Sequence, residues 1–170
     1  MSDSQTRRRP RLRWKKVIPW VLGGLVALAL LIQLVPYGRD HTNPPVRLEP
    51  TWDSPQTRAL AVQACYDCHS NETIWPWYSN AAPVSWLIQR DVDEGRSDIN
   101  FSEWDRPQKE TDKIVNSVQK GEMPPWTYPI THPTAGLSPA ERQALIQGLT
   151  NTFGLGKQEG DQASHRSRGF

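Results

Sequence analysis

The sequence predicts an all-α protein, a small helical domain behind one apolar helix. Three observations predict it. Residues 17–35 form an apolar run interrupted in polarity only by Gln33. Ser54-Pro55 and Ser138-Pro139-Ala140-Glu141 are helix starts, each with an N-cap hydroxyl and proline at the first helical position. Between them, apolar residues recur at helical spacing in segments that end at glycine, and no βαβ alternation occurs.

The run Val17–Val35 holds nineteen residues, which at helical rise cover roughly 28 Å, enough for a bilayer core. No other stretch is apolar enough to surround it as a core helix, so a transmembrane anchor is expected. Residues 1–16 carry seven cations, Arg7 to Lys16, against the single acid Asp3. The positive-inside rule keeps this segment in the cytoplasm and sends the rest across. The exit, Leu34-Val35-Pro36-Tyr37, lacks the small residues of a cleavage site, so the anchor is expected to stay uncleaved. The first 35 residues take seven of 20 basic and one of 18 acidic residues, leaving 13 and 17 beyond, a net of −4. The basicity belongs to the membrane flank, and nucleic acid is not an expected partner. Residues 36–53, with Asn43-Pro44-Pro45 and Glu49-Pro50, read as a Pro-rich tether.

The domain is expected over residues 54–154. Its first helix should run from Ser54-Pro55 to about Tyr66, with Leu60, Ala61 and Ala64 on one face. At its end stands Cys65-Tyr66-Asp67-Cys68-His69. Two cysteines three apart with histidine next is the attachment pattern of a c-type haem. Each thiol adds to one vinyl group, and the following imidazole reaches the iron as an axial ligand. A zinc site would want four ligands in paired spacing, and here His41, His132 and His165 lie singly. A redox pair would follow a strand, and a disulfide across two residues is strained. One covalent haem c is the favoured reading.

After the motif, Trp75-Pro76-Trp77-Tyr78 offers an apolar wall for a porphyrin. A second helix is expected from Val84 to about Glu94 with Gly95 as its stop, and a third from about Gln108 to Lys120, ending at Gly121. Between them Asn100-Phe101-Ser102-Glu103-Trp104 is a compact connection. Gly121-Glu122-Met123-Pro124-Pro125-Trp126 then supplies a methionine in a proline-stiffened loop, 54 residues past His69. A soft thioether there suits the sixth position of a haem iron and favours its ferrous state. His132 is the rival ligand, His41 and His165 are weaker ones, and a five-coordinate iron is a further alternative. The last helix should span Pro139 to about Thr152, with Leu145, Ile146 and Leu149 inward. Residues 155–170 turn to Gly, Gln, Ser and charge and read as a disordered tail.

Taken together, CYDCHSNET, WPWYS, APVSW, INFSEW and GEMPPW make the chain resemble the bacterial haem-binding domain family over about residues 52–153. The resemblance implies an all-helical, class I cytochrome c-like domain on the periplasmic side of the inner membrane. It implies thioethers at Cys65 and Cys68, His69 as proximal ligand and Met123 as distal ligand. Trp75, Trp77, Tyr78 and Trp126 are expected around the cofactor. The expected function is one-electron transfer to redox protein partners by an anchored monohaem cytochrome, not an enzyme. A haem enzyme or sensor with an open sixth site, or a module in which haem is structural, is the alternative.

Overall fold

The computed structural model describes residues 14–155. The basic segment up to residue 13, and the tail from residue 156 with His165, lie outside the described residues. Within them the chain is helical, and its one β-type pairing is an isolated bridge between Leu48 and Glu103.

Helix α1 spans Trp14–Ile32, three residues earlier at each end than the apolar run predicts. It is long and apolar enough to cross a membrane, and none of its residues is buried against the domain. It ends before Gln33, whose side chain donates both to Ala29 O within the helix and to Ala82 O in the domain, and accepts from Ala82 N.

The expected tether is not a free linker. Asn43 donates to Thr73 O at 2.9 Å, Arg47 N to Ser102 O at 2.8 Å, and Asn71 to Pro45 O at 3.0 Å. Glu49 takes a two-pronged bond from Arg58 at 2.6 and 2.7 Å, and this guanidinium holds the carboxyl below its usual range. The sequence concealed this because proline and polar composition specify a solvated backbone without saying what it lies against.

Helix α2, Pro55–Ala64, starts as its sequence dictates: the Ser54 hydroxyl accepts from Thr57 N at 3.1 Å. Leu60, Ala61 and Ala64 are buried. It stops short of Tyr66, because Cys65 leaves helical geometry at φ −129°, and α3, Tyr66–His69, is a separate turn. A 3-10 turn at Trp77–Asn80 precedes α4, Val84–Asp98. Helix α4 thus passes through Gly95 instead of stopping there. A methyl at Gly95 would lie 2.4 Å from the Cys68 carbonyl oxygen, so glycine is required by a helix crossing and not by a helix end. Helix α5, Ile114–Gln119, is far shorter than expected. Gln108 is drawn into the preceding loop, accepting from Asn100 N at 2.8 Å and donating to Glu103 O at 2.8 Å.

A short helix α6, Tyr128–Thr131, follows the Met123 loop, and α7, Pro139–Phe153, is the last helix among the described residues. Its capping box is complete, with Glu141 N bonding Ser138 and Ser138 N bonding Glu141. Helix α7 packs on α2 where Gly148 meets Thr57. The core joins Leu60, Leu145 and Leu149 to an aromatic stack in which Phe101 lies 5.6 Å from Tyr66 and 6.1 Å from Trp104.

A polar knot ties the segment after His69 to the INFSEW connection. Asn71 N donates to Ser102 Oγ at 2.9 Å, Asn100 Nδ2 to Asn71 Oδ1 at 2.9 Å, and Ser102 N to Asn100 Oδ1 at 2.9 Å. All three side chains are buried. Removing one member of a satisfied buried network strands its partners. Asn100→Ala should therefore lower unfolding stability by about 2 kcal/mol, read from urea denaturation. A loss under about 0.5 kcal/mol, the range of an ordinary surface change, would contradict this account of the knot.

Candidate functional site

A cavity of about 670 Å³ opens between α3, α4, α5 and the loop from Met123 to His132. Its size falls within the ~300–1,000 Å³ usual for cofactor sites. Val84, Leu87, Ile88 and Val92 supply one wall at the helical spacing of α4, and Ile114 and Val118 face them from α5.

Cys65, Cys68 and His69 all border this cavity, brought to one edge by the turn that follows α2. Both thiols are free, and burial pushes each up to about 12. They are neutral at physiological pH, unlike the acidic thiols of a redox pair. Burial also lowers the His69 pKa, favouring neutral imidazole. Its Nδ1 faces two backbone carbonyls, Gly95 O at 3.0 Å and Ile99 O at 3.2 Å. Carbonyls only accept, so Nδ1 carries the proton and Nε2 keeps its lone pair. A ligating histidine is fixed in this way by the bond its other nitrogen makes.

Met123 borders the same cavity and is 39% exposed. Its loop is fastened to the end of α5, with Glu122 N and Met123 N both donating to Ser117 O, at 2.9 and 3.2 Å. His132 is there too, stacked on Tyr128 with ring centroids 4.3 Å apart. Met123 and His132, the competing sulfur and nitrogen donors, therefore share one cavity. His41 stacks on Trp75 instead, away from it.

The aromatic expectations divide. Tyr78 lines the cavity, whereas Trp75, Trp77 and Trp126 do not. Trp75 holds residues 36–53 against the domain by stacking on His41 and donating to Asn43 at 3.2 Å. Trp77 and Trp126 are 84% and 80% exposed. Proximity in sequence to His69 does not set which way a ring turns.

Other groups join the site without a motif that announces them. Asp67, inside the motif, accepts from Ile74 N at 2.9 Å and from the Tyr128 hydroxyl, joining α3 to α6 across the cavity. Burial, with the Asp67 carboxylate next, raises the Tyr128 pKa, so this phenol stays protonated. Gly95 both admits Cys68 and supplies the carbonyl to His69. The run Arg96-Ser97-Asp98, with no proline, was the signal that α4 continues.

An apolar cavity edged by two neutral thiols and an imidazole with a free Nε2 fits an iron porphyrin. Helical fold and site together define a haem-binding domain. The family model for the haem-binding domain matches residues 27–151, and the chain belongs to that family. No curated protein and no solved structure matches it significantly.

Proposed function

We propose that this protein is a membrane-anchored monohaem c-type cytochrome that transfers single electrons on the periplasmic side. The observation that carries the reading is that Cys65, Cys68, His69 and Met123 all border one cavity. When bound, haem supplies an iron centre that changes charge by one electron. Cys65 and Cys68 would hold it by thioethers. His69 would present Nε2, oriented by Gly95 and Ile99, and Met123 would present its sulfur as the second ligand. With both positions filled, no open site remains for a substrate, which favours a carrier over an enzyme. Helix α1 would hold the domain at the inner membrane, the cationic N-terminus keeping its first end cytoplasmic. Five carboxylates, Asp67, Asp91, Glu94, Asp98 and Glu110, border the cavity against one lysine, Lys113, among the described residues. Their field would draw a redox protein with a cationic docking face.

Optical and magnetic spectra of the haem-loaded protein and two variants test the ligation. The parent should be low-spin with a sulfur-to-iron charge-transfer band. Met123→Ala should lose that band and His132→Ala keep it. A low-spin parent that lacks the band, and that His132→Ala but not Met123→Ala turns high-spin, would make His132 the ligand. A high-spin parent that readily binds carbon monoxide would favour the second reading, a haem enzyme or sensor with an open sixth position.

A further inference from the structure

The exit of α1 is fastened to the domain mainly through Gln33. Gln33 donates to Ala82 O at 2.8 Å and accepts from Ala82 N at 3.0 Å, so its amide pairs with one backbone unit just ahead of α4. Arg39 donates to the same Gln33 oxygen at 3.1 Å, and the Tyr37 hydroxyl to Asp93 at 3.3 Å. The helix exit and the start of α4 therefore share a fixed separation.

Trp77 lies five residues before Ala82, so its Cα is within ~18 Å of the clasp even if the chain between were fully extended. The 3-10 turn at Trp77–Asn80 makes it nearer. Its ring packs edge-on to Tyr78 and is otherwise open to the outside. Leu34 and Tyr37, at the helix exit, are also exposed. Indole, phenol and guanidinium at the end of an apolar span are the residues that settle at headgroup depth, with an apolar body inward and a polar tip in water.

The geometry points to a lipid-facing surface on the domain: Trp77, with Tyr37 and Arg39, seats the turn before α4 in the outer headgroup layer of the bilayer that holds α1. This rests on the reading of α1 as a membrane span. The exposed apolar side chains have a bilayer beside them because the clasp makes the patch continuous with the anchor. The consequence concerns the cavity. Ile74 and Leu87 stand at its border, on the two sides of this turn. Its mouth is thus held near the membrane surface, where a partner that is itself membrane-bound meets it most often.

Spin labels at three positions test the surface in the full haem-loaded chain in lipid nanodiscs. Leu28→Cys reports the anchor, Trp77→Cys the patch, and Gln147→Cys the exposed far face of α7; unsubstituted protein given the same reagent supplies the background. Collision with oxygen marks lipid and collision with a water-soluble nickel chelate marks solvent. The oxygen-to-nickel ratio at position 77 should lie several-fold above that at 147 and below that at 28. A ratio at 77 equal to that at 147, with 28 lipid-like, would overturn the surface and leave the anchor standing. Protection of 77 from both reagents would overturn it too, since protein would then cover the site. A water-like Leu28 would remove the anchor, and the surface with it.

Discussion

Gly95→Ala is expected to destabilise the domain by about 1–3 kcal/mol, although alanine is the better helix former by about 1 kcal/mol. The new methyl would lie 2.4 Å from the oxygen and 2.9 Å from the carbon of the Cys68 carbonyl. Both are backbone atoms, so no rotamer change relieves the contact, and α4 must back away from α3. That movement carries off the Gly95 carbonyl, one of the two acceptors that hold His69 Nδ1. The variant should thus lose stability in urea denaturation and also broaden the axial-ligand signature of the bound haem. A variant as stable as the parent, or more stable by the helix-propensity gain, would show that α4 does not rest on the Cys68 backbone.

The second large effect is on cofactor retention. Cys65→Ser/Cys68→Ser replaces two neutral, half-buried thiols with hydroxyls of similar size, so the fold should survive, as far-ultraviolet circular dichroism would show. Serine cannot form the thioethers, and haem covalently bound per chain should fall from near one to none. Cys68→Ser alone leaves one attachment point and should give an intermediate, single-thioether spectrum. Undiminished covalent haem in the double variant would place the attachment elsewhere.

The grouping of Cys65, Cys68 and His69 was legible because it is local: they fall within five residues, and the structure puts them on one short turn beside the cavity. The helix starts were legible because capping is local: Ser54 and Ser138 bond residues three positions ahead. Features that depend on distant partners were not. Gly95 carries the composition of a helix stop, and only the Cys68 carbonyl, 27 positions earlier in sequence, shows why it sits inside α4. Gln108 has good helix propensity, yet its amide is worth more closing the loop around Asn100. Trp77 and Trp126 have the composition of core aromatics and lie outside. Residues 36–53 have that of a linker and lie against the domain.

One picture links these parts. Helix α1 is clasped to the start of α4 by Gln33, α4 lies on the Cys68 backbone through Gly95, and the Gly95 carbonyl orients the imidazole next in line. Helix α1 and His69 are thereby joined through a single helix, which fixes the cavity relative to the exit of α1.

Under the proposed function Cys65 and Cys68 hold haem covalently in this cavity, beside His69. Extraction of the purified protein with acidified organic solvent tests it most directly. The account predicts that the haem absorbance stays with the precipitated polypeptide; passage of the haem into the organic phase would contradict it.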